Sequence, residues 1–178
     1  NGQMKNEENY KDEKLEGRYL YYYENGQISI EGKYKDGKED GRWTRFYENG
    51  QIKYEGDWKD GWTSGLHIDY YENSQIKRQE NHISKGYWEI TDYYENGHKK
   101  TEESIKNGVR HGIYIRYWKN GNKSDETYYE NGKENGSSKL YNRNGIIWLK
   151  GNYIAGEQRG KWIYHHDDGE VSHEEDFG

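Results

Sequence analysis

The chain lacks cysteine and proline, and it has few aliphatic residues. Without cysteine it can form no disulfide and no thiolate metal site. Leu, Ile, Val and Phe together number 23 of 178 residues, a share typical of disordered chains. No run of about 18 apolar residues occurs, so the sequence offers no helix that would cross a membrane.

Aromatic residues argue against disorder. Tyr, Trp and Phe make up 16% of the chain, whereas disordered chains are poor in aromatics and rich in proline. Each aromatic ring can bury roughly 150–250 Å² while its polar edge stays hydrated. This composition therefore favours a thin structure of one layer over a thick apolar core.

Charge narrows the range of partners. The chain has 27 basic and 33 acidic residues, closely interspersed, for a net charge of −6. Nucleic acid and anionic lipid both select a basic surface. We therefore expect no nucleic-acid partner, and the acidic balance also argues against a membrane partner.

A repeat of 24 residues runs through the sequence. Successive copies are separated by 24, 24, 23, 24, 24 and 24 residues, and a first copy opens in phase at Asn1. A constant period of this size is typical of stacked small units that cannot bury their apolar faces alone. We predict one continuous array over residues 1–178, with units starting at Asn1, Asn25, Asn49, Asn73, Asn96, Asn120 and Asn144, and a partial unit from Asp168.

Each repeat predicts two strands and two turns. Asn49-Gly50 predicts a two-residue hairpin turn, because Asn and Gly both tolerate positive φ. The segment 52–58 alternates apolar and charged residues, as a strand with one apolar face does. Asp60-Gly61 predicts the second turn. The predicted fold is all-β: an elongated single-layer antiparallel array of β-hairpin repeats.

The repeat also resembles a known family. Its pattern, Gly-x-Trp-x-x-Tyr-Tyr-Glu-Asn-Gly-Gln-Ile-Lys-x-Glu-Gly-x-Tyr-Lys-Asp-Gly, is clearest over residues 17–37, 41–61 and 65–76. It is similar to the MORN-repeat variant of many bacterial proteins and to the YwqK family of antitoxins. The resemblance implies hairpin arrays, a possible toxin as partner, and no catalytic residues.

Nothing in the sequence indicates an enzyme. It has no nucleophile elbow, phosphate loop or zinc-protease motif, so we assign no catalytic residue and no cofactor. The densest group of potential metal ligands is at the C-terminal end, at residues 165–168 and 173–176. We interpret this group as a polar cap on the last repeat and assign no metal site.

The aromatic residues divide into two predicted roles. Rings at a mid-strand position should stack between units and stabilise the fold: Tyr19, Trp43, Tyr114 and Trp162. Rings beside the hairpin tips are the candidate binding surface: Tyr23, Tyr47, Tyr71, Tyr94 and Trp118. Three turn glycines, Gly37, Gly61 and Gly108, should be structural because their turns need positive φ.

The leading hypothesis is a non-enzymatic protein-binding module, with the antitoxin or immunity partner of a toxin as its most concrete form. One alternative is a secreted or surface protein that binds carbohydrate or a host protein through its rings. Another is a structural rod whose copies associate through open sheet ends. Composition does not decide between a cytoplasmic and a secreted or surface location.

Overall fold

A computed structural model describes residues 5–178, which form strands, turns and bends and no helix. The predicted repeat start at Asn1 lies outside the described residues. The chain divides into two compact units, one ending at His82 and the other beginning at Ile83. Continuity of the array over residues 1–178 stays a prediction.

The first unit contains strands of two to nine residues. They are β1 (Asn6–Glu7), β2 (Tyr10–Lys11), β3 (Lys14–Leu15), β4 (Gly17–Tyr22), β5 (Ile28–Lys35), β6 (Lys38–Glu39), β7 (Gly41–Phe46), β8 (Ile52–Lys59), β9 (Trp62–Tyr70) and β10 (Ile76–Ser84). The last of these strands extends two residues beyond the boundary of the unit.

The second unit repeats the same arrangement. Its strands are β11 (Tyr87–Tyr93), β12 (Lys99–Lys106), β13 (Val109–Arg110), β14 (Gly112–Tyr117), β15 (Lys123–Glu130), β16 (Lys133–Tyr141), β17 (Ile147–Ile154), β18 (Glu157–His165) and β19 (Val171–Asp176).

From β4 onward the longer strands of each unit pair antiparallel with their neighbours along the chain, while β1 pairs with β4, and β2 and β3 form a separate pair. In the first unit Trp43 of β7 faces Gly56 of β8, and in the second Tyr114 of β14 faces Thr127 of β15. Side chains alternate between the two faces of each strand, so one face carries most rings and the other most charges. The prediction of an all-β, single-layer antiparallel array of hairpins is confirmed in both units.

The hairpin tips differ from the predicted two-residue turn. The amide of Gly26 donates to the carbonyl of Tyr23 at 2.9 Å, and the amide of Tyr23 donates to Gln27 at 2.8 Å. Of Asn25 and Gly26, only Gly26 has positive φ, at +84°. The tip is therefore a three-residue loop of the type-I-plus-bulge kind. Next to this loop, the pairing of β4 with β5 shifts its register between Tyr21 and Tyr22.

The two-residue turn with two positive φ values occurs instead at the second turn of the repeat, which joins one hairpin to the next. Asp36 and Gly37 have φ of +51° and +80°, and they join Lys35 to Lys38, which pair directly. Asp and Gly both tolerate this left-handed conformation. Asn-Gly at 107–108 and 131–132 and Ala-Gly at 155–156 form the same turn.

The fourth repeat, which is one residue short, has an irregular connection. Between Ser84 and Tyr87 only Gly86 has positive φ, and its carbonyl accepts from the amide of Asn107 at 2.6 Å. The second glycine found at Gly41 and Gly65 is missing here, and β11 runs without interruption. The connection of this short repeat therefore differs from those of the other repeats.

Candidate binding surface

One mid-strand position supplies two of the buried side chains of the first unit, and Leu20, which is 3% exposed, is another. The mid-strand position is occupied by Tyr19, Trp43 and His67, of which Trp43 and His67 are each 5% exposed. Trp43 lies over Gly32, where an added Cβ would overlap its indole ring. Tyr34 meets Trp43 edge-on, with ring centroids 5.0 Å apart. A glycine under a large ring lets the sheet remain one layer thick and still bury apolar surface.

The same position in the second unit holds residues of different size. Ile90 and Trp162 are buried and Tyr114 is half-buried. Trp162 again covers a glycine, Gly151. Ser138 is buried in this position too, where its hydroxyl is 2.9 Å from that of Thr127. The sizes of facing residues are thus matched. The large ring of Trp162 lies over glycine, whereas the small side chain of Ser138 leaves room for Thr127.

The five predicted binding rings beside the hairpin tips are half-buried. Four of them donate a hydrogen bond to a backbone carbonyl 23 residues further along the chain. The bonds are Tyr23 Oη to Phe46 (2.5 Å), Tyr47 Oη to Tyr70 (2.6 Å), Tyr94 Oη to Tyr117 (2.9 Å) and Trp118 Nε1 to Tyr141 (3.2 Å). Each of these bonds joins one hairpin to the next. The rings therefore contribute to the fold, and their role in binding stays a prediction.

A cation lies close to the ring in four of these five residues. Lys53 lies 5.5 Å from the ring centre of Tyr47, and Arg143 lies 5.5 Å from that of Trp118. Tyr71 and Tyr94 have a lysine at similar range. Cation–π contacts at exposed sites are worth roughly 0.5–1 kcal/mol. A partner that used these rings as anchors would have to displace the cations first.

The predicted structural glycines lie in the left-handed region. Gly37, Gly61 and Gly108 have φ of +80°, +82° and +83°. An added Cβ would meet nothing closer than 3.7 Å at Gly37 and Gly61 and nothing within 4 Å at Gly108. Substitution at these sites would therefore cost backbone strain rather than steric overlap.

Sequence reasoning did not single out Trp62, which is 79% exposed. It is the first residue of β9, directly after the Asp60-Gly61 turn. Lysine occupies the same repeat position at Lys14, Lys38 and Lys133. Leu66 on the same strand is 41% exposed. A tryptophan in a position that holds lysine in three other repeats, valine at Val109 and glutamate at Glu157 was the signal that could have identified it.

The charged face carries a chain of paired groups. Arg42 lies 2.8 Å from Glu55, and Tyr70 donates its hydroxyl to the same carboxylate at 2.7 Å. Burial, and then the bond to Glu55, raises the pKa of Tyr70 to about 12. Tyr117 bonds Glu102 in the same way in the second unit, and its pKa is also raised, first by burial. These contacts link side chains of neighbouring strands.

The C-terminal histidine group is engaged in local contacts. His173 stacks on Tyr164 with ring centroids 4.3 Å apart and planes 6° apart. Across residues 5–178, no three His, Asp or Glu side chains are arranged to hold a metal ion. Nor does that part of the chain contain a helix long and apolar enough to cross a membrane.

The geometry defines a protein built from antiparallel β-hairpins, with one core position in each repeat and an aromatic ring beside five of the tips. Three segments, residues 15–36, 39–60 and 110–131, match the family described as MORN repeat variant. Each matched segment includes one core ring and one tip ring, such as Trp43 and Tyr47 in the second. These three segments are therefore similar to MORN repeats, a kind of module often used in binding. A comparison with curated proteins finds no match.

Proposed function

We propose that this chain is a non-enzymatic protein-binding module. One observation carries the proposal: Trp62 is 79% exposed on a sheet strand. Leaving so large an apolar side chain in water gains nothing for the fold, and tryptophan is the residue type most enriched at energetic centres of interfaces. Lys14 and Lys38 at the same repeat position indicate that the turn does not require an aromatic residue.

The partner we propose is a protein, with a toxin neutralised by this chain as its most specific form. The support for a protein is the combination of an exposed Trp62 with an acidic, interspersed surface of net charge −6. The support for a toxin is the resemblance of the repeat to antitoxin sequences. Leu66 on the same strand would extend the apolar contact.

Photo-crosslinking tests where the partner binds. A photoreactive residue at position 62 should capture one protein from the native source, and the same residue at position 113 should not. Ile113 is a fair control because it is also an exposed apolar strand residue, at 55%. Equal capture at both positions would count against a surface centred on Trp62.

Affinity measurement then tests the energetic role. Trp62→Lys restores the residue found in other repeats, so the fold should be unchanged while the Kd for the captured protein rises at least about tenfold, or 1.4 kcal/mol. Ile113→Lys is the matched control. If the captured protein is a toxin, wild-type chain should inhibit it in a stoichiometric ratio, and Trp62→Lys should require a higher concentration.

A further inference from the structure

Asn-Gly pairs recur throughout the sequence, and eight of them lie within residues 5–178. Such a pair is open to an internal reaction, because glycine has no side chain to obstruct attack of its backbone nitrogen on the asparagine carboxamide. The attack requires that the glycine amide and the carboxamide can both move. Hydrogen bonds at either group therefore determine which of the pairs can react in the folded chain.

At six of these pairs at least one reacting group is held by a hydrogen bond. At four hairpin tips the carboxamide oxygen accepts from the amide two residues further on, and the glycine amide donates to a carbonyl of the loop. These four pairs are Asn25-Gly26, Asn49-Gly50, Asn96-Gly97 and Asn120-Gly121. Asn135 uses both ends of its carboxamide, to Glu130 and to Ala155. At Asn144-Gly145 the glycine amide donates to Asn142 at 3.0 Å.

The remaining pairs, Asn107-Gly108 and Asn131-Gly132, form the same two-residue turn in the second unit. The asparagines have φ of +52° and +50°, the glycines +83° and +81°, and all of these residues are exposed. Within residues 5–178 neither carboxamide has a hydrogen-bond partner. The amide of Gly132 donates to the carbonyl of Arg110 at 2.9 Å, whereas the amide of Gly108 has no partner in the same part of the chain. The two turns thus differ by one hydrogen bond.

The short fourth repeat explains the missing bond. In regular repeats the turn glycine donates to a carbonyl 22 residues earlier, as Gly61 does to Glu39. The residue at that distance from Gly108 is Gly86, but its carbonyl accepts from the amide of Asn107 at 2.6 Å instead. An added Cβ at Gly108 would also meet nothing within 4 Å. The nitrogen of Gly108 is therefore both unpaired and uncovered.

We propose that Asn107 is a site of spontaneous modification, converted to aspartate and isoaspartate ahead of the other Asn-Gly pairs in residues 5–178. The amide nitrogen of Gly108 gives its proton to water or hydroxide and bonds to the carboxamide carbon of Asn107. The bond from that carbon to its amino group breaks, and ammonia leaves with one added proton. Water then opens the cyclic imide at either carbonyl, and no oxidant or reductant takes part. This inference is independent of the proposed function.

The two products fit the turn differently. Aspartate fits it, because Asp36 and Asp60 hold the same position in the first unit with φ of +51° and +52°. Isoaspartate does not, since its peptide bond runs through the side chain and adds a carbon atom to the backbone. The direct pairing of Lys106 with Val109 depends on a turn of two ordinary residues. Modification therefore adds a negative charge in either case, and in the isoaspartate form it also disturbs the hairpin.

Mass spectrometry of the folded full chain tests the site. After incubation at pH 8 and digestion, conversion at Asn107 should be at least about fivefold faster than at Asn131, the effect of one hydrogen bond on the opening of a turn. The same chain unfolded in urea is the reference, because both pairs should react at similar rates there. Equal rates in the folded chain, relative to this reference, would overturn the proposal, and so would an absence of conversion at Asn107.

Amide hydrogen exchange tests the cause before any modification has occurred. Nuclear magnetic resonance of freshly prepared chain follows the two glycine amides separately. After correction for intrinsic rates, Gly108 should be at least about fivefold less protected than Gly132. Equal protection would show that the Gly108 nitrogen is held in the folded chain, which would contradict the proposal.

Two matched variants assign the ammonia that is released. Asn107→Asp copies Asp36 and Asp60, so it should unfold at the same temperature as the parent while early release of ammonia from the folded chain falls. Asn131→Asp removes the slower pair and should change that release little. A fall in Asn131→Asp as large as the fall in Asn107→Asp would show that Asn107 has no precedence.

Discussion

The indole ring of Trp43 lies directly over Gly32 on the neighbouring strand, where any side chain would overlap it. Gly32→Ala should therefore force the ring from its place and destabilise the first unit by about 1–3 kcal/mol, as overpacking does. Gly32 does not have positive φ, so the cost is steric and not backbone strain. Urea unfolding followed by tryptophan fluorescence measures the effect.

A double-mutant cycle separates this effect from loss of the ring itself. Trp43→Ser alone should cost about 3–5 kcal/mol, as loss of a buried aromatic side chain does. Gly32→Thr combined with Trp43→Ser copies the bonded Thr127–Ser138 pair and should cost less than the two single changes together. Full additivity would contradict the pairing of residue volumes across these strands.

The period of 24 residues and the alternating segments were sufficient to predict the hairpin array. They could not determine which turn has two residues, because Asn25-Gly26 and Asp36-Gly37 both permit positive φ. That choice depends on hydrogen bonds around the loop, such as Gly26 to Tyr23. The hydrogen bonds of the tip rings could not be predicted from the sequence either, since each joins residues 23 positions apart.

The tip ring of Tyr47 should stabilise the fold through its hydroxyl. Tyr47→Phe keeps the ring and removes the 2.6 Å bond to the carbonyl of Tyr70, so it should cost about 0.5–1.5 kcal/mol. Tyr21→Phe is the control, because Tyr21 is 41% exposed. Thermal unfolding of both variants is the measurement. Equal stability of the two would mean that the tip bond adds nothing.

Ala155 adopts a conformation that alanine rarely takes. Its φ is +54°, and the same turn position is held by Asp36, Asp60, Asn107 and Asn131 elsewhere. Ala155→Asn should stabilise the second unit by about 0.5–1 kcal/mol, since asparagine tolerates the left-handed region. Ala155→Val should destabilise it, because branching at Cβ worsens the strain. Thermal unfolding should show a higher midpoint temperature for Ala155→Asn and a lower one for Ala155→Val. A lower midpoint in both variants would contradict the assigned φ.

Gly61 holds the second position of the equivalent turn in the first unit, and this position also needs positive φ. Its φ is +82°, and an added Cβ would lie 3.7 Å from Lys38, an ordinary contact. Gly61→Val should therefore cost about 1–3 kcal/mol through backbone strain alone. Gly61→Asn should cost distinctly less, because asparagine accepts this conformation better. A valine variant as stable as the parent would show that the turn is placed wrongly.

Tyr70 should resist ionisation in the folded chain. Burial and the bond to Glu55 raise its pKa to about 12, against about 10 in an unfolded chain. The folded state holds this proton more tightly, so the stabilising effect is complete below pH 10 and is lost as the pH rises towards 12. Glu55→Gln keeps a hydrogen-bond acceptor but removes the negative charge, so Tyr70 should ionise at a lower pH. Ultraviolet difference titration against a Tyr70→Phe reference measures the shift, and an unchanged midpoint in Glu55→Gln would show that the carboxylate charge does not act on this hydroxyl.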